Sequence, residues 1–526
     1  MSRFKFIFGD IGAIKKHGLQ SYINNYFWPV SELEYQNIAN KMHEQYVHIL
    51  DGVRDPFLYD VVLVELTFIA EIQIIYHYHS VKQYALKHNL NLHYTKHSKR
   101  YYEPDWKEYA NFYSTIKFPH GRVVRAIRRF IKSFVFNRHL GFIKFIKGFL
   151  FGQGVIGVGS YDRLKKEYVE KNNLFCHHYD WPDVFKHNSK SDKDITLQAL
   201  KVHKEVISPY LEFLVSLDPV VFSRELIENI RISWDKRIKD LIVLFYKCSV
   251  FDRGKVVLIT EAGKPHSKII SLVNNRYGAK AYCFHHGSDM GEVVQKNSHT
   301  KDTSHCRYFI VPSSGAKSAY IENYSNISVE KKIGTHYISN KSTFYKELYD
   351  RNLKKKLNSE IKSVMVIGYP MTQYRPMEEV GLFFYIRLEF EHRLITELKN
   401  KGYRVLYKAH PDRLNEITGF FEGLVDEFLV EPFERVWDKA DALIYGLTST
   451  STFGYGLCTN LPITLIDVDG TVWNKRQKKY LEGRVSFVPG KLNKEQQIEF
   501  SSNNLIDTLR KPKSAIKWND ASLYFG

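Results

Sequence analysis

From Val155 to Gly470, apart from a long helical stretch, the chain repeats one pattern, and that pattern leaves few folds open. Short apolar, β-branched runs alternate with helical stretches. In a first block, VIGVGS (155–160), KVVLIT (255–260), AKAYCFHHG (279–287), RYFIVP (307–312) and KKIGTHYI (331–338) read as strands. In a second, SVMVIGYP (363–370), YRVLYKAHP (403–411), EFLVEPF (427–433), DALIYG (441–446) and LPITLIDVDG (461–470) do the same. Between them stand helical segments: one from about Pro265 to Arg276, SSGAKSAYIENY, residues 380–401 ended by Gly402, and ERVWDKA. Strands joined by helices pair in parallel, because a parallel connection needs a long crossover. The expectation is an α/β protein with two doubly wound, Rossmann-like domains facing a cleft.

At 526 residues the chain exceeds what one core usually organises. The alternation divides it into a first α/β domain over 153–340 and a second over 361–500, with a polar, Lys-rich linker at 339–360. Residues 1–115 read as a helical N-terminal region, within which a helical stretch rather than a membrane span is expected at 61–79, because Glu65, Glu71 and Gln73 interrupt the apolar run. A long helical stretch covers roughly 195–246. Residues 501–526 form a C-terminal tail.

Residues 116–152 stand apart. From Gly121 to Leu150 there are eight Lys/Arg, among them Arg125, Arg128, Arg129 and Lys132, and no acid. Val124, Ile127, Ile131 and Phe134 recur at helical spacing, then Phe142, Phe145, Ile146 and Phe149. This predicts a basic amphipathic helix or helix pair. An acid-free, aromatic-flanked basic helix suits an anionic membrane surface. The formal charge of +19 agrees with an anionic partner. No RNP, KH, zinc-finger or helix-turn-helix signature accompanies it, so nucleic acid is not the expected partner. Five scattered cysteines without a C-x-x-C pair argue for a reducing compartment, and no signal peptide is read at the N-terminus. A cytoplasmic protein, peripheral on the inner membrane, is expected.

Ligands of doubly wound sheets sit at the carboxyl ends of strands. His410 follows the strand 403–408, and Pro411 biases it away from helix and fixes its orientation. Lys408 precedes it, and Arg413 and Lys264 add cations. After DALIYG come Thr448, Ser449, Thr450, Ser451 and Thr452, five hydroxyl residues between a strand and a helix start, a pattern that fits a phosphate cradle. It is not a Walker loop. Glu431, at the end of another strand, is placed to accept from ribose hydroxyls. In the first block Glu261 follows a strand directly, and His285, His286 and Gly287 end the next, followed by Asp289. Glu261 and Asp289 are candidate bases or nucleophiles, with His286 beside them; His285 and Gly287 are candidate donor or acceptor contacts. No metal motif is present: there is no H-E-x-x-H and no Cys cluster.

The order strand–His-Pro, then Glu431, then strand–Ser/Thr run, in the second of two such domains, resembles the GT-B glycosyltransferases that use CMP-activated sugars. These include bacterial sialyltransferases and the Kdo transferases of capsule and lipopolysaccharide synthesis. The same arrangement is similar to CDP-glycerol and CDP-ribitol phosphotransferases of cell-surface polymer synthesis. The resemblance covers roughly 250–470. It implies that His410 and Pro411 lie against the nucleotide, that Thr448, Ser449, Thr450 and Ser451 hold its phosphate, and that a carboxylate of the first domain does the chemistry. The (D/E)(D/E)G motif of sialyltransferases has no copy here; TEAG and GSD match in part. The implied activity is transfer of an acidic sugar, Kdo or another nulosonic acid, from its CMP donor to a glycan or glycolipid acceptor, without a metal or other cofactor. A basic membrane-binding protein without enzymatic activity is the alternative from another class.

Overall fold

The computed structural model describes residues 6–114, 122–151, 154–160, 162–185, 191–285, 290–352, 360–371, 380–411, 414–448 and 450–513, with backbone alone for 122–125 and 151. Of the expected site residues, His286, Gly287, Asp289, Arg413 and Ser449 lie outside the described residues, as does the Arg125 side chain.

Two strands, β1 (Phe6–Phe8) and β2 (Asn91–His93), pair in parallel within the N-terminal helical region. The first large sheet holds β3 (Val155–Val158), β4 (Cys176–Tyr179), β5 (Val256–Ile259), β6 (Lys280–Phe284), β7 (Tyr308–Val311) and β8 (His336–Ser339). Its order is β4-β3-β5-β6-β7-β8, all parallel. The second holds β9 (Ser363–Ile367), β10 (Arg404–Lys408), β11 (Glu427–Leu429), β12 (Ala442–Tyr445), β13 (Ile463–Val468), β14 (Val485–Leu492) and β15 (Ile498–Phe500). Its order is β11-β10-β9-β12-β13-β14-β15, parallel except for β15. The expected α/β architecture with parallel sheets is therefore present. Every residue of β9 and β12 is buried, as strands covered by helices on both faces must be.

Chain order reverses between β3 and β5 in the first sheet and between β9 and β12 in the second. At such a reversal the flanking crossovers leave to opposite faces, and a crevice opens at the carboxyl ends. Segments following two carboxyl ends join the sheets. Val293, after β6, bridges to Trp473, after β13. The Val294 N–H donates to the Val472 carbonyl at 2.8 Å, and the Asn474 N–H to the Glu292 carbonyl at 2.8 Å.

The N-terminal helices pack against both halves. Tyr22 Oη donates to the Tyr385 carbonyl on the helix Phe384–Asn400, and Trp28 meets Phe383 edge-on and lies tilted against Tyr385. Arg276, at the end of the helix Pro265–Arg276, pairs with Asp60. The apolar run 61–79 falls in the helices Pro56–Val64 and Leu66–Lys87. Among the described residues no helix is long and apolar enough to cross a membrane. The stretch 339–360 is not all linker: Phe344–Asn352 is a helix that buries Tyr345, Leu348 and Tyr349. Their i, i+3, i+4 spacing makes one apolar face, which the surrounding lysines obscure in the composition.

Glu32, at the start of the helix Glu32–Gly52, is buried and accepts from the Gly381 N–H at 2.8 Å. Burial pushes its carboxyl up to about 8, so it is protonated at neutral pH. Between the unfolded value of about 4.5 and this folded value, the folded state holds a proton that the unfolded state has lost. Stability therefore falls as pH rises through that window. Glu32→Gln should be near neutral at the acid end and stabilising at the alkaline end, as read from urea midpoints across the range. A constant difference between the two proteins at every pH would contradict this.

Candidate functional site

The first crevice forms where β3 and β5 end. Thr260, one residue past β5, donates from Oγ1 to the Ser160 carbonyl at 3.1 Å, tying the two strand ends together. Its own carbonyl accepts from Ser267 Oγ at 3.1 Å. Between these fixed points Glu261 adopts φ +57°, the left-handed region that costs a residue with a Cβ about 1–2 kcal/mol. Such strain persists only where surrounding bonds impose it, and it concentrates at functional positions. The turn is closed by the Lys264 N–H on the Glu261 carbonyl at 2.9 Å, and Lys264 Nζ lies 2.8 Å from the Glu261 carboxylate.

Glu261 opens on a cavity of about 320 Å³ whose walls include Lys264, His285, His299, Asp302 and Tyr320. His285, directly after β6, is buried edge-on against Tyr320. His299 stacks on Tyr324 with ring centres 3.7 Å apart and contacts Tyr337 Oη at 2.9 Å and Glu330 at 3.2 Å. Burial raises the Glu330 carboxyl, but the hydrogen bonds from His299, Thr335 and Tyr337 outweigh it and hold it below its ordinary range. The sequence reading missed His299, Asp302 and Tyr320. For His299 and Asp302 the signal was the short helix Lys296–Thr303, in which they share a face.

The second crevice forms between β9 and β12. The carboxyl ends run across the edge in the order Glu431 after β11, His410 after β10, Gly368 after β9 and Thr448 after β12. Neighbouring strands lie about 4.8 Å apart, so the His410 and Thr448 positions stand roughly 10 Å apart across β9. The Ala409 N–H still bonds to the Leu429 carbonyl, which makes His410 the first residue beyond the ladder. His410 is half-buried and Pro411 exposed. Glu431 is exposed; a hydrogen bond from its own N–H, and Lys439 nearby, hold its carboxyl below the usual range. Thr448 is buried, and Ser451 is exposed at the start of the helix Ser451–Leu457. Thr450 caps that helix, accepting from the Thr452 N–H at 3.3 Å. Lys408 is buried and donates to the Ala409 carbonyl.

The floor of this crevice is a buried network absent from the sequence reading. Arg387 pairs with Glu391 at 2.9 Å and donates to the Gly446 carbonyl at 3.3 Å; Tyr407 Oη donates to Glu391 at 2.7 Å. A Cβ at Gly446 would lie 2.8 Å from the Arg387 guanidinium, and one at Gly368 would strike Tyr407 Oη. Both strand ends flanking the switch point thus need glycine for close approach. An Arg and a Glu at i, i+4 among the apolar residues at the start of the helix Phe384–Asn400 was the available signal.

Val293 links the carboxyl-end segments of the two sheets. It is a wall of the Glu261 cavity and also of a small cavity of about 20 Å³ formed by Gly446, Leu447, Thr448, Asp467 and Trp473. Asp467 accepts from Trp473 Nε1 at 2.9 Å and pairs with Lys478 at 3.0 Å. Among the described residues one cluster has metal-ligand atoms within 4.8 Å of one another: the buried Cys283, His305 and Cys306. Burial and a bond with Cys283 push the Cys306 thiol up, and the buried Lys268 ammonium nearby opposes a divalent ion, so the trio fits a packed core better than a metal.

A scan of family models finds none that matches the chain, and a search of curated proteins finds no match.

Proposed function

We propose that the chain is a GT-B-type glycosyltransferase that moves an acidic sugar, Kdo or another nulosonic acid, from a CMP-activated donor to a glycan or glycolipid acceptor. One observation carries the reading: Val293 walls both the cavity beside Glu261, a carboxylate held at a left-handed φ, and a small cavity that includes Thr448 at the start of the hydroxyl-rich loop. In this reading Pro411 and His410 bound the cytidine, Glu431 accepts from ribose, and Thr448 with its neighbouring hydroxyls takes the phosphate. Lys264 leaves Glu261 for the donor's carboxylate or phosphate. Glu261 takes the proton of the acceptor hydroxyl as its oxygen bonds the anomeric carbon. The bond from that carbon to the phosphate oxygen breaks, and CMP departs with the electron pair.

Thermal melts with cytidine nucleotides test this. A ligand at a hundred times its Kd stabilises the folded state by about 2.7 kcal/mol. CMP should raise the melting temperature and UDP should not. A stronger effect of CDP than of CMP would redirect the reading to a CDP-polyol phosphotransferase, and a melt unchanged by both would remove it.

A further inference from the structure

The basic segment meets the protein mainly through polar side chains. The helix Arg122–Phe136 turns a largely polar face onto the first sheet, where Phe136 alone of its apolar side chains joins the sheet's core. There Asn137 accepts from the Cys176 N–H at 2.7 Å and donates to the Cys176 carbonyl at 2.8 Å, while Ser133 Oγ accepts from the His178 N–H at 3.0 Å. These side chains satisfy the backbone of β4, an edge strand whose ladder would otherwise end open. Cations on the same side anchor the helix: Arg128 and Lys132 pair with Asp180, and Arg129 lies over the Tyr179 ring. Three of the four residues expected to meet lipid are thus tied to β4 and its loop.

The consequence is on the opposite face. The helix Phe142–Phe151 covers part of it through Phe145 and Phe149 against Phe130. The rest is left outside: Ile127 is 56% exposed, Ile131 54%, Phe142 67%, Ile143 73% and Leu150 69%. Exposed apolar side chains gathered on one helical hairpin mark a contact surface. Arg138, Lys144 and Lys147 are exposed on the same hairpin, and no acid occurs from Gly121 to Leu150. Exposed apolar side chains on a segment whose own charged residues are all cations match one occupant, a bilayer bearing anionic headgroups, in which the apolar groups enter the acyl boundary and the cations meet phosphates. Helices of 15 and 10 residues are too short to span, so the hairpin lies in the interface.

We propose that the hairpin 122–151 docks the protein on an anionic lipid surface through Ile127, Ile131, Phe142, Ile143 and Leu150, with Arg138, Lys144 and Lys147 on the headgroups. The proposal stands on the hairpin alone; a chain that binds vesicles but no cytidine nucleotide would keep it and lose the transfer reading. Full-length protein is pelleted with phosphatidylcholine vesicles with and without phosphatidylglycerol. It should partition onto the anionic vesicles and much less onto the neutral ones. Phe142→Glu with Ile143→Glu should weaken partition at least about tenfold, since each buried apolar side chain contributes that much. Lys144→Glu with Lys147→Glu should do so by a similar factor, at about fivefold per cation. All four side chains are exposed, so neither variant should shift the melting temperature. Wild-type protein that stays in the supernatant, or variants that partition like wild type, would overturn the proposal. So would a dimer in solution that both variants dissociate, because the face would then belong to a second copy.

Discussion

Glu261→Gln should lower transfer by about 10²–10⁴-fold while leaving CMP binding intact, measured as CMP release from the sugar donor in the presence of acceptor. The magnitude follows from the role: an amide of the same shape cannot take the acceptor's proton. The stability side of the same position separates function from packing. Glu261 sits at φ +57° between a Thr260 fixed to Ser160 and a closed turn at Lys264. Its exposed pairing with Lys264 adds little, because solvent screens it. Glu261→Gly should therefore fold at least as stably as wild type, with a gain of up to about 1 kcal/mol, and be as inactive as the Gln variant. A residue whose removal stabilises the fold and stops the reaction is retained for the reaction. Full turnover in either variant would move the chemistry to another group.

Arg237→Met should destabilise the protein by about 3–5 kcal/mol, seen as a fall in the urea midpoint. Arg237, on the helix Arg224–Lys247, and Glu65, between two N-terminal helices, are both fully buried. Arg237 Nε lies 3.1 Å from Glu65, its Nη1 donates to the Tyr109 carbonyl at 3.2 Å, and Tyr113 Oη donates to Glu65 at 2.6 Å. Removing the guanidinium leaves a carboxylate in an apolar interior with a single hydroxyl donor. The double variant Glu65→Leu with Arg237→Met should recover most of the loss, because a buried pair replaced by apolar groups of similar volume is often neutral. A double variant no more stable than the single one would show that the pair supplies net stability.

The strands and their carboxyl ends were legible because β-branched runs stop at Gly, Pro or His. Glu261, His410 and Thr448 could be placed on strand ends from the letters alone. What stayed hidden depends on which elements become neighbours. Arg387, Glu391 and Tyr407 are far apart in purpose until β9, β10 and β12 align their ends. His299 and Asp302 belong to a helix whose polar face reads as solvated until it closes the Glu261 cavity. The basic hairpin shows the limit most clearly. Periodicity gives an amphipathic helix but not which face turns inward, and here the need of the β4 edge for hydrogen-bond partners decides it in favour of Ser133 and Asn137.

Calorimetric titration of CMP into the wild-type protein and into His410→Ala tests the central claim most directly. The account predicts saturable binding at one site, weakened at least about tenfold in the variant, the factor that about 1.4 kcal/mol of lost contact produces. No saturable binding of CMP or CDP to the wild-type protein, or equal affinity in His410→Ala, would contradict it.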